Sequence, residues 1–194
     1  MNDENQDSQT DADAGEPLGL LRGTVTLAEH RPCWKVLYEE TADALRSAIG
    51  DLVEDIQHVG STAVPGLPAK PILDIALAVG PDPDIAEMAR RLTELGYIYR
   101  GDAGDAGGHL FVAERAPEVR TVHIHVVPEG GRQWRNYLQL RDVLRQSPEI
   151  RAQYAEFKRH LAAKHPEDRG AYTAGKMRFI DPLLAEGQRK KEIS

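Results

Sequence analysis

Hydrophobic and polar positions along this chain change period several times, and each change marks an element. Trp34, Leu37, Thr41, Ala44, Leu45, Ala48 and Ile49 recur at helical spacing and Gly50 follows as a stop, which predicts an amphipathic helix. Val53–Val59 carries β-branched residues and runs into Gly60-Ser61-Thr62, which predicts a strand ending in a tight turn. Three prolines and a glycine in AVPGLPAKP exclude helix there. Ile72–Val79 is a near-continuous apolar run broken by Asp74, the pattern of a buried central strand.

Further on, Ile85, Met88, Ala89, Leu92 and Leu95 share one face of a second helix over 82–95, stopped by Gly96. A short strand follows over 97–100, then GDAGDAGG as a flexible loop of the kind that borders sites. Segments 109–114 and 120–127 flank RAPEV and predict an antiparallel hairpin. The remainder reads as three helices: 132–145, one capped by Ser147 with Pro148 at its first position, and one from about Arg169 to Ala185. The fold class expected is therefore α+β, a mixed or antiparallel sheet of four to five strands with helices packed on it and a C-terminal helical part.

Charge sharpens the boundaries. Residues 1–17 hold six acids and no Lys or Arg, and account for all but one unit of the formal net charge of −7. That acidic tail is expected to be disordered, with a single domain over 18–185 and a flexible C-terminal tail over 186–194. The domain itself is nearly neutral. It has no basic stripe with interleaved aromatics outside the QRKK segment, so nucleic acid is not the expected partner. No apolar stretch is long enough to cross a bilayer and the N-terminus lacks the features of a signal peptide, which together predict a cytoplasmic protein without membrane contact. The single cysteine, Cys33, rules out an internal disulfide framework and is expected to be a small buried residue.

The chemistry concentrates in three places. Gly60, Ser61 and Thr62 follow a strand directly, so backbone N–H groups and two hydroxyls are available to phosphate oxygens. Asp74 is expensive inside an apolar strand unless it faces a partner or a metal, and Lys70 lies between it and the turn. His123 and His125 alternate on one strand, so both imidazoles face the same side, suited to a metal pair or to phosphate and proton transfer. His58 and His109, at strand ends, are candidates to converge there. Finally, Arg141 with Arg145, Lys158 and Lys176 stand on the apolar stripes of three consecutive helices, as if those helices covered an anion; snorkelling side chains are the plainer explanation.

HVGSTAVPGLPAKPILDI closely resembles the signature of the GrpB family, which has a nucleotidyltransferase-like fold. The Trp34 helix, the HIHVV strand, the LRDVLR stretch and Tyr172, Lys176, Phe179 and Ile180 also resemble it in order, from about Thr26 to Leu184. The resemblance implies a Gly-Ser turn holding nucleotide phosphates, with acids on the next strands binding divalent metal. Gly60-Ser61 and Asp74 match; the second acid expected two residues after Asp74 is Ala76, and the hairpin strand that would supply a third carries His123 and His125. One aspartate with two histidines suits Mn²⁺, Zn²⁺ or Fe²⁺ better than a two-Mg²⁺ site.

The expectation is thus an enzyme that transfers a nucleotidyl group from a nucleoside triphosphate to a small-molecule acceptor. Asp74, His123 and His125 would be its catalytic and metal-binding residues, and Gly60, Ser61, Thr62, Lys70, Arg141, Lys158 and Lys176 would hold the nucleotide. The divalent metal is Mg or Mn, with Zn as a further candidate. The alternatives are a nucleotide- or cofactor-binding module without turnover, since domains of this family accompany dephospho-coenzyme A kinase in some chains, and a His/Asp metal-dependent hydrolase or ligase.

Overall fold

The computed structural model describes residues 18–103 and 108–192. The acidic stretch over 1–17 and the centre of the loop expected over 101–108 lie outside them. Six strands form one mixed sheet: β1 (Leu20–Leu21), β2 (Asp55–Val59), β3 (Leu73–Val79), β4 (Ile98–Asp102), β5 (His109–Ala116) and β6 (Val119–Pro128). Their order is β2-β3-β6-β5-β4, with β1 paired to β6. β3 and β6 run parallel and the other pairs are antiparallel. The short β1 takes the count one beyond the four to five strands expected.

Five helices complete the fold: α1 (Cys33–Ile49), α2 (Ile85–Glu94), α3 (Arg132–Gln146), α4 (Pro148–Lys164) and α5 (Arg169–Glu192). Their ends follow local chemistry. Asp84 caps α2 by accepting from Glu87 N, and Ser147 caps α4 by accepting from Ile150 N, with Pro148 at its first position. α5 continues through Glu192, beyond the Ala185 predicted, and takes both Pro182 and Gly187 into the helix.

Strand alternation distributes side chains to two layers. Leu73, Ile75, Leu77 and Val79 of β3 join Val122, Ile124 and Val126 of β6 in the main core, under Trp34, Ala42, Leu45 and Ile49 of α1 and Met88 and Leu92 of α2. The opposite face carries Val59, Ala76, Ala78 and Val127 against Trp134 of α3. A further cluster joins the 64–67 loop to α3, α4 and α5 through Leu144, Tyr154 and Ile180. The site-bearing face of the sheet is therefore roofed by the three C-terminal helices.

Several sequence expectations shift on inspection. The buried face of α1 is centred on Ala42 and Leu45, and Ala44 is exposed. Cys33 is exposed because it opens that helix at the surface. Leu95 is 44% exposed, since α2 ends at Glu94 and Gly96 (φ +86°) turns the chain away. His58 pairs with Ile75 and stacks on Tyr38 of α1, and His109 pairs with Val126 and meets Tyr99. Both therefore belong to the face opposite Asp74 and do not converge with it.

His58 is instead a structural histidine. Its ring stacks on Tyr38 at 4.5 Å and its Nε2 lies 3.0 Å from Thr62 Oγ1, which ties the start of the turn to α1. Burial pushes its pKa down to about 4. The unfolded chain accepts this proton near pH 6.5 and the folded chain does not. Stability should therefore be flat above that pH and fall as pH drops towards 4, by up to about 1.4 kcal/mol per pH unit. Urea unfolding at pH 7.5 and 5 should show a smaller acid loss in His58→Gln than in the wild type; equal losses would contradict this assignment.

Candidate functional site

Gly60 ends β2 at φ +69°, ψ −168°, a conformation that glycine adopts without strain. Ser61–Ala63 then forms one 3₁₀ turn. A second constraint acts on Gly60: a Cβ placed there would lie 2.6 Å from Asp74 Oδ2 and 2.9 Å from Asp74 Cβ. The carboxylate thus packs directly on the turn. Around it the C-terminal helices act as clamps. Arg141 Nη1 donates to Gln57 Oε1 (2.7 Å) and to the His58 carbonyl (3.2 Å), and Arg145 Nε donates to the Ala63 carbonyl (2.9 Å). Lys158 Nζ donates to Ser61 Oγ (3.0 Å) and to the Pro68 carbonyl.

The floor is the parallel pair β3–β6. Asp74 is in register with His123, and Ala76 with His125, so one carboxylate and two imidazoles share one face. Asp74 Oδ1 lies 3.2 Å from His123 Nδ1 and 3.4 Å from His125 Nε2. The three donor atoms all lie within 4.8 Å of one another. Ala76, where a second acid was expected from the family resemblance, is fully buried beside Val59, Val127 and Trp134. His125 is its register partner.

Two hydrogen bonds settle the protonation of His123. Its Nε2 lies 3.2 Å from Arg169 Nη2, and a guanidinium can only donate. Nε2 must therefore accept, and the ring proton sits on Nδ1, donated to Asp74. Burial lowers the His123 pKa against the pull of Asp74, in accord with a neutral ring. Burial alone would raise the Asp74 carboxyl, but the imidazole hydrogen bonds outweigh it and hold the group well below the usual carboxylate range. Asp74 keeps a third of its side-chain surface open and lines the cavity above it.

That cavity measures about 440 Å³, within the range of small-molecule sites. Gly60, Ser61, Thr62, Lys70, Asp74, His123, His125, Arg141, Lys158 and Lys176 all line it, so the residues singled out from sequence come together. Arg120, Arg169, Tyr137 and Tyr172 line it as well and were missed. Arg169 had a signal: it extends the stripe of Tyr172 and Lys176 one turn towards the helix start. Among the cavity's lining residues six are Lys or Arg and one is acidic, Asp74. Burial, then Lys176 and Arg169, push the Lys70 ammonium down to about 7. Burial also lowers Lys176, and it lowers Lys158 well below the usual lysine range. A chamber of this kind favours an anionic ligand.

Fold and site together define an α+β protein with a partly open, cation-lined chamber between the sheet and a helical roof. The chain belongs to the GrpB family: the family profile described as GrpB protein matches residues 24–186. It is similar to the "Glutamate-rich protein GrpB" of Alkalihalophilus pseudofirmus, 36% identical over 172 residues that cover 87% of this chain and 99% of that one. A UPF0157 protein of Pseudomonas aeruginosa is 40% identical over 155 residues, 79% of this chain and 63% of the relative. The crystal structure of the conserved protein GrpB from Enterococcus faecalis superimposes with a TM-score of 0.73 and 28% identity, over 84% of this chain and 99% of that one. A dephospho-CoA kinase of Mycolicibacterium paratuberculosis matches at 28% identity over 81% of this chain and 44% of its own length. Among the described residues, no helix is long and apolar enough to cross a membrane.

The contact between Gly60 and Asp74 gives a direct prediction. Gly60→Ala should cost about 1–3 kcal/mol through its strained φ alone. The added Cβ should also displace the carboxylate from the imidazoles. A urea midpoint within error of wild type, with unchanged imidazole NMR shifts, would show that the turn does not rest on Asp74.

Proposed function

We propose that the cavity binds a nucleoside triphosphate and transfers its nucleotidyl group to a small-molecule acceptor. The observation that carries this reading is the contact of the Gly60-Ser61 turn with an ionised Asp74, with Lys158 set on Ser61 Oγ. The first N–H groups of a helical turn lack partners within it, so the Ser61–Ala63 turn supplies phosphate donors and Lys158 their counter-charge. Thr62 is committed to His58 and supports the turn from beneath.

A divalent metal, Mg or Mn with Zn as the further candidate, fits part of the donor set. Asp74 and His125 can hold it together with phosphate oxygens. His123 fits only if Arg169 turns aside, because ligation through Nδ1 would move the ring proton to Nε2, facing a guanidinium N–H. Such an ion would neutralise charge on the phosphates during transfer. In the reaction proposed, the acceptor oxygen bonds to the α-phosphorus, the bond to the pyrophosphate oxygen breaks, and the acceptor proton passes to Nε2 of the His123 imidazole, which the acceptor reaches in place of Arg169. Asp74 keeps that imidazole oriented.

One observation favours a second reading, a nucleotide-binding module without turnover. Ala76 is sealed in the apolar layer, so the chamber holds one carboxylate where two-metal chemistry uses several. Labelled nucleoside triphosphates with Mn²⁺ and a panel of hydroxyl and amino acceptors separate the two. Nucleotidyl transfer predicts pyrophosphate release that Asp74→Asn lowers by about a hundredfold or more, equivalent to roughly 2.7 kcal/mol of barrier. Tight calorimetric binding with no pyrophosphate across the panel would establish the module instead, and Asp74→Asn would then leave affinity nearly unchanged.

A further inference from the structure

The six cations of the cavity divide by what already holds them. Arg141 and Lys158 spend their donors on protein acceptors around the Gly60 turn. The other four keep donors to spare, although Arg169 gives Nη2 to His123 Nε2. Among the described residues, Lys70 and Lys176 have neither a hydrogen-bond acceptor nor a carboxylate within ion-pair distance. What they share is the ring of Tyr172, at 5.5 and 5.2 Å from its centroid. Arg169 Nη1 and Arg120 Nε are buried without a hydrogen-bond partner. The carboxylate near Arg120 Nε is Glu114 at 3.8 Å, which already takes Arg100 at 3.0 Å.

These four line the same cavity as the turn and influence one another, with Lys70 flanked by Lys176, Arg169 and Arg120. The His123 ring presents Nδ1 to Asp74 and Nε2 to Arg169, so the imidazole stands between the carboxylate and the guanidinium. Lys70 precedes β3 and Arg120 precedes His123 on β6. Arg169, Tyr172 and Lys176 follow one another at helical spacing on α5 and all line the cavity. Burying unpaired cations is costly, and cations that face one another repel. Two guanidinium forks and two ammonium groups exceed what one carboxylate ligand would satisfy. They match the three oxygens and near-double charge of a phosphomonoester.

We infer that Lys70, Arg120, Arg169 and Lys176 form a second phosphate-binding subsite, distinct from the turn at Gly60–Thr62, and that it receives a phosphate group carried by the acceptor. The subsite stands on the unpartnered cations; its assignment to the acceptor rests on the nucleotidyl transfer proposed above. Burial, and then the neighbouring Lys176 and Arg169, lower the Lys70 pKa, in accord with a crowded cationic wall.

The test is calorimetric titration of the full chain with inorganic phosphate, with and without a saturating non-hydrolysable nucleotide analogue and Mn²⁺. Phosphate should still bind beside the analogue, its affinity changed by less than about threefold. The double substitution Lys70→Gln, Lys176→Gln should weaken phosphate by about tenfold or more; with both lysines assigned to the acceptor phosphate and not, as expected from sequence, to the nucleotide, the analogue should stay within about threefold. Ser61→Ala should do the reverse. Lys176→Arg, which keeps the charge, should retain phosphate binding in a protein of unchanged fold and serves if the double variant is unstable. Competitive displacement of phosphate by the analogue would overturn the inference, because the cluster would then hold the triphosphate. So would undiminished phosphate binding in the double variant, or its loss in a folded Lys176→Arg. If the analogue fails to bind wild type at all, nucleotidyl transfer falls, while the phosphate titrations still decide the subsite.

Discussion

The Asp74 carboxylate is the contact on which the site depends. It is polar in a strand that is otherwise core, it lies against Gly60 so closely that a Cβ there would collide with it, and it accepts from both imidazoles of β6. Each relation follows from the sheet. β2 returns antiparallel beside β3 and delivers the turn above Asp74, while β6 runs parallel on the other side and delivers His123 and His125 at its level. A single ionised group thereby fixes a turn, a tautomer and the orientation of two rings.

Around this centre the helical roof supplies charge in two forms. Arg141, Arg145 and Lys158 are structural cations, whose bonds to carbonyls and to Ser61 hold the turn open in shape. Lys70 and Lys176 remain uncommitted. Arg120 and Arg169 keep unpaired buried N–H groups. A chamber so arranged is less stable than an apolar one of the same volume, a cost reasonable only where an anionic ligand offsets it.

Much of the fold was legible in the sequence, because long periodic segments and caps dictate local structure. Ser147-Pro148 marked the start of α4, and the apolar run around Asp74 marked the central strand. The Gly-Ser turn, Asp74 and the paired histidines were legible because period-two alternation fixes which side chains share a face. What eluded the sequence depended on contacts between distant segments. The rotation of α1 that exposes Ala44 is set by the sheet beneath it. The facing of His58 and His109 followed from strand register, which no local pattern fixes. Arg120 carries no local signal, and Arg169 only extends a stripe on α5; β6 and α5 bring both to the cavity.

The central claim is that Asp74 is an ionised acceptor between the two imidazoles of β6, with Arg169 fixing the His123 tautomer. Nitrogen-15 NMR of the histidine side chains at neutral pH tests it most directly. The account predicts that His123 is neutral with its proton on Nδ1, and that Asp74→Asn and Arg169→Met each disturb that tautomer. A His123 ring protonated on Nε2, or doubly protonated, in the wild-type protein would contradict it.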